Sequence, residues 1–260
     1  MVAAARGHVI APLSLDEEKR MARSEFHAQL AALRSHTLEL GGLTVTALER
    51  VIGALQEDDR PVAQEIAAAD DVIDRLHSSI QRESIVILAI QQPTARDLRA
   101  ITAAMMIAGE LERIGDYVTG IAKLICRELR EPALPPAHDL YRMARASRRM
   151  LQRSLDAYAT QDAALARRVW HDDPVIDTLQ QRLYNDLLVT MSHQPNTLTR
   201  ATHLLWTVHN LERVADRATN ICEQILFMVE GEWPRFVAAD TPSTLLEGTL
   251  LPREEAEDDD

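Results

Sequence analysis

Apolar residues recur every three or four positions through most of this chain, the period of helices that each bury one stripe. Ser14 and Glu17 form a capping box that opens a helical pattern running toward Leu55. Asp58, Asp59 and Arg60 then read as a turn, and Pro61 suits the first position of a second helix. Along that helix Ile66, Ile73, Leu76 and Ile80 keep mostly to one face until Gln92-Pro93 ends it. Thr94 caps a third helix, expected from Ala95 to Arg130, with Leu111, Ile114, Val118, Ile121 and Ile125 as its stripe. Three prolines between Glu131 and Ala137 then interrupt the pattern.

The same order of events follows a second time. A helix from His138 to Thr160 gives way to Asp162 as a cap, a fifth helix extends to Ser192, and His193-Gln194-Pro195-Asn196 precedes a sixth helix ending near Gly231. Pro174 falls inside the fifth helix, where loss of a backbone donor predicts a kink. The repeat is legible in residues as well as in pattern. Leu111-Glu112-Arg113-Ile114-Gly115-Asp116-Tyr117-Val118-Thr119-Gly120-Ile121 matches Leu211-Glu212-Arg213-Val214-Ala215-Asp216-Arg217-Ala218-Thr219-Asn220-Ile221 at six of eleven positions. The chain is therefore expected to be all-α, two tandem three-helix bundles related by internal duplication. The expected divisions are a flexible N-terminus (1–13), a first unit (14–130), a linker (131–137), a second unit (138–235) and an acidic disordered tail (236–260).

Composition narrows the class. With 260 residues, 46% hydrophobic and only 4% aromatic, the chain can bury substantial cores. No run approaches the roughly 18–20 apolar residues of a membrane span, and the N-terminus lacks the apolar centre of a secretory signal, so a cytoplasmic address is the default. A net charge of −12, with six acids between Glu254 and Asp260, argues against nonspecific nucleic-acid binding. Cys126 and Cys222 sit at unmatched places in the repeat and are expected as reduced, buried thiols.

The candidate chemistry lies in four acidic pairs of one spacing, i and i+4: Asp70/Asp74, Glu112/Asp116, Asp173/Asp177 and Glu212/Asp216. Each unit carries one pair on its second helix and one on its third. Four residues advance about 40° beyond a turn, so each pair shares a face, and on the third helix that face points away from the apolar stripe. Like charges so placed repel unless a cation intervenes. A single pair reads as a solvated face with intrahelical partners; the duplicated set favours metal binding, provided the two helices lie side by side. Oxygen ligands alone suit iron, manganese, magnesium or calcium.

Around them, Arg113 and Arg213 read either as outer charges of a site or, preferentially, as ordinary helical ion pairs. Thr119, Thr219 and Asn220 sit one turn beyond the aspartates and either extend a polar face or, for the threonines, back-bond to the helix. His209 lies three residues before Glu212, the reverse order of the Glu-x-x-His unit of di-iron bundles, and Gly109 stands in its place in the first unit, which weighs against a ligand role.

At these residues the sequence resembles the PhoU family of phosphate-transport regulators. The resemblance rests on Asp70-Asp71-Val72-Ile73-Asp74, Gln92-Pro93-Thr94-Ala95-Arg96-Asp97-Leu98-Arg99 and Glu110-Leu111-Glu112-Arg113-Ile114-Gly115-Asp116. Their second-unit relatives are Asp173-Pro174-Val175-Ile176-Asp177, Gln194-Pro195 and Leu211–Asp216, and the match covers residues 15–235. It implies surface clusters of iron or zinc on the acidic motifs. It further implies a cytoplasmic, often dimeric, negative regulator between the ATPase-bearing phosphate ABC transporter and its sensor histidine kinase. Ala215 in place of a glycine, Pro174 and the acidic tail depart from that pattern. Two other readings stand beside it: a carboxylate-metal enzyme, either hydrolase or oxidase, and a metal-free helical adaptor. The outward acids, with no nucleophile set or phosphate-binding glycine loop, weigh against the enzyme.

Overall fold

The computed structural model describes residues 15–127, 134 and 138–233, with side chains from 23 onward in the first helix. Ser14 and the side chain of Glu17 in the expected capping box, most of the proline-rich linker and the acidic tail lie outside the described residues. Eight α-helices follow in order: α1 (Leu15–Glu57), α2 (Arg60–Ala68), α3 (Asp70–Gln91), α4 (Ala95–Ile125), α5 (His138–Thr160), α6 (Ala163–Trp170), α7 (Asp173–His193) and α8 (Leu198–Glu230), with a single 3-10 turn at Pro195–Thr197. Among the described residues there is no strand, and no helix is long and apolar enough to cross a membrane.

The second helix of each unit is broken, which the pattern of apolar positions did not predict. In the first unit the chain interrupts its helix at Ala69, the shared cap of α2 and α3. In the second it breaks at His171-Asp172. Pro174 consequently occupies the first turn of α7, not a helix interior. There its missing N–H has no intrahelical acceptor to lose, so the expected kink is replaced by a helix start. Both short helices open on an aspartate cap: Asp59 accepts from the Val62 amide at 3.0 Å and Asp162 from the Leu165 amide at 2.9 Å. Thr94 holds the cap position of α4, but its hydroxyl makes no capping bond. α4 ends at Ile125, and Cys126-Arg127 form a turn, so the helix stops short of the expected Arg130.

Each unit packs the same way. α1, α2 and α3 lie on α4, as α5, α6 and α7 lie on α8. α4 and α8 also pack on one another, and α1 on α5, so the two units share one continuous core through Leu40, Ile107, Leu111, Leu151, Val214 and Ile225. At the α1–α5 crossing, a Cβ on Gly41 would stand 2.6 Å from Leu155 Cδ2. Across α4–α8, Glu110 meets Asn220 while Asn210 closes on Gly120, a reciprocal pairing that makes these helices antiparallel. Arg34 and Arg99 of the first unit reach the carbonyls of Ala159 and Met228, binding the C-terminal ends of α5 and α8. Both cysteines are free; Cys222 is buried, and burial pushes its thiol up to about 12, whereas Cys126 is partly exposed.

Candidate metal centres on two paired helix faces

Because α3 lies along α4, the pair on α3 meets the pair on α4, and α7 repeats this against α8. Asp70, Asp74, Glu112 and Asp116 face one another closely enough to act on each other's protonation. Burial, then Asp116 and Asp74, raises the Glu112 carboxyl, while burial, Asp70 and Asp74 raise Asp116 against the opposing pull of Lys123. In the second unit burial, Asp177 and Asp216 push Asp173 up to about 6. Burial and Asp216 likewise raise Glu212, and burial raises Asp216 despite Arg213 and Arg217. Each set is thus a concentration of negative charge in a half-dehydrated groove, where each ionised carboxylate raises the cost of ionising the next.

The residues around the two sets divide differently. Thr119 donates to Asp70 Oδ1 at 3.0 Å, tying α4 to α3 inside the first groove, whereas Thr219 back-bonds to the Asp216 carbonyl at 2.7 Å. Arg113 pairs with Glu110 at 3.2 Å while still opposing the rise of Glu112. Arg213 instead lies within its own groove, 3.9 Å from Glu212 and 3.6 Å from Asp216. Asn220 belongs to neither groove: its amide donates to Glu110 Oε2 at 3.1 Å across the α4–α8 contact, because α8 turns that position toward the other unit.

Glu110 escaped the sequence reading. It accepts from Arg217 at 3.2 Å and from Asn220, and pairs with Arg113, so three donors from both units converge on one largely buried carboxylate. Its one local partner, Arg113, reads as an ordinary helical pair, and the two that distinguish it, Arg217 and Asn220, lie more than a hundred residues away. His77 was missed for the same reason: it lies on α3, and only the α3–α4 register places its ring beside Gly109. Burial lowers the His77 imidazole below its ordinary value although Asp74 opposes the shift.

The donor chemistry suits a metal. Each groove offers four carboxylates from two facing helices, and Glu212 Oε2 is a buried oxygen without a hydrogen-bond partner, 3.9 Å from both His209 and Arg213. A cation would satisfy that oxygen and offset the repulsion. Among the described residues, however, no group of three or more His, Cys, Asp or Glu side chains is already gathered around one point. Ligation therefore requires the side chains to close from the two facing helices.

Comparison with known proteins accords with this architecture. The PhoU domain matches twice, over residues 37–125 and 140–225. A phosphate-specific transport system accessory protein PhoU homolog of Caulobacter vibrioides is 37% identical over 206 residues, covering 78% of this chain and 89% of that protein. The crystal structure of PhoU from Pseudomonas aeruginosa superposes with a TM-score of 0.76 at 33% identity, over 80% of this chain and all of that one. The phosphate transport system regulatory protein PhoU from Streptococcus pneumoniae gives the same TM-score at 29% identity, over 80% of this chain and 99% of that one.

Proposed function

Because the chain belongs to the PhoU family, we propose that it is a noncatalytic, cytoplasmic negative regulator linking a phosphate ABC transporter, through its ATPase subunit, to a sensor histidine kinase. The observation that carries this reading is a set of exposed apolar side chains repeated at matched positions of both units. Val72, Ile85, Val86, Leu98 and Met106 are all exposed, and so are Val175, Leu188, Val189, Leu198 and Trp206 at the corresponding places of the repeat. Large apolar side chains left in water at matched positions of two units are the signature of docking faces. A self-sufficient helical protein has no use for them. An enzyme, by contrast, concentrates its unusual residues in a closed pocket. In this reading Asp70, Asp74, Glu112 and Asp116, and separately Asp173, Asp177, Glu212 and Asp216, hold iron or zinc at the surface, and the protein acts as a homodimer.

The test is a clean deletion carrying a reporter for phosphate-starvation genes. The expected result is expression at plentiful phosphate that disappears when the transporter is also deleted. Unchanged reporter output would overturn the regulatory reading.

A further inference from the structure

Each acidic groove carries one histidine, and the two histidines come from opposite walls. In the first groove His77 stands on α3, three residues after Asp74, and its Nε2 lies 3.9 Å from where a Cβ on Gly109 of α4 would sit. The repeat places His209 of α8 at the position of Gly109, and Gln180 of α7 at the position of His77. A histidine therefore stands at the same register of each repeat: on α3 facing a glycine in one unit, and on α8, where the repeat aligns a glutamine on α7, in the other. In the second groove His209 Nδ1 is 3.9 Å from Glu212 Oε2, the buried oxygen that lacks a hydrogen-bond partner. One histidine at the same register of each groove, contributed by opposite helices and in one case set against an unpartnered carboxylate oxygen, points to a role in the groove. The competing role of His77 is its 2.8 Å contact with Gln81, a local pair on the same helix that does not explain the glycine opposite.

Building on the metal reading above, we propose that His77 and His209 each supply the single nitrogen ligand of an otherwise all-carboxylate metal site, from opposite helices. One imidazole in an oxygen set shifts preference away from magnesium and calcium toward iron, zinc and manganese, which accept nitrogen readily. The chain thereby selects among the cations that carboxylates alone would admit.

The experiment uses the full-length protein loaded with Mn(II), read by pulsed EPR for coupling to imidazole nitrogen, with Zn(II) and Mg(II) titrations in parallel. Wild-type protein should show the nitrogen coupling, and His77→Gln and His209→Gln should each remove about half of it. The double variant should lose it entirely, with zinc affinity down on the order of 10-fold and magnesium affinity unchanged. Circular dichroism of each variant confirms that the helices persist, and the single variants report separately if the double one does not fold. Stoichiometric Mn(II) without nitrogen coupling in the wild type overturns this proposal and leaves the carboxylate sites standing. Failure to bind Mn(II), Zn(II) or iron at all overturns both.

Discussion

The first and second acidic grooves descend from one repeat yet handle their charge differently. In the first, Gly115 lets α3 close on α4, with Ile73 Cδ1 only 3.1 Å from where a Cβ would be. Arg113 pairs with Glu110, and Lys123 is the opposing charge on Asp116. In the second, Ala215 occupies the corresponding place, and Arg213 and Arg217 both oppose the rise of Asp216. Arg217 also bridges to Glu110, so the second groove is coupled to the junction between units, while its counterpart Tyr117 carries no charge. Duplication preserved the four acidic pairs; the residues that balance them were free to diverge, and with them, in the proposed metal reading, the cost of displacing a protein cation from the groove.

The largest expected effect separates the grooves by their metal. At a hundredfold excess over Kd, each occupied site should stabilise the native state by about 2.7 kcal/mol, a rise of about 5–10 °C in Tm. Chelator should reverse it. Asp116→Asn and Asp216→Asn should each lower the metal stoichiometry at one groove with little loss of helicity. Arg213→Gln should tighten the second groove and leave the first unchanged, as measured by titration on the Asp116→Asn background. Equal affinity with and without Arg213 would break the contrast.

The junction comes next. Glu110→Ala strips a partner from Arg217, whose side chain is 17% exposed, and from Asn220, and should cost about 2–3 kcal/mol in denaturant unfolding. Arg113→Ala, removing a side chain 56% exposed, should cost less than about 0.5 kcal/mol. Similar costs for the two would show that the junction is no more than a surface pair.

The smallest effect is a pH dependence of the metal-free protein. The folded pKa of Asp173, about 6, lies above its ordinary 3.8, so the folded state holds the proton more tightly than the unfolded chain. The associated stability is fully present below pH 3.8 and is lost as pH rises through about 6. Asp173→Asn should therefore raise stability at pH 7 by about 1 kcal/mol, discounted for partial solvent exposure, and flatten the curve between pH 4 and 6. A variant no more stable than wild type at pH 7 would remove the dehydration argument for this groove.

What the sequence by itself determined follows from local periodicity. The stripe from Leu111 to Ile125, the turn before α2, the aspartate cap of α6, the proline punctuation and the 100-residue echo of Leu-Glu-Arg-x-x-Asp each depend on short stretches of chain, so the all-α class, the duplication and the four acidic pairs were legible. Pro174 was misjudged because periodicity continues across His171-Asp172 without marking the break. The helical ion pairs of Arg113 and Arg213 were legible too, whereas only the tertiary structure could decide which acidic pairs share a groove, that Arg217 and Asn220 serve the junction, and that His77 meets Gly109. The physical reason is register: a side chain's charge environment is set by how far one helix slides and turns against another, and that is settled by packing along the whole contact, between residues that no short spacing relates.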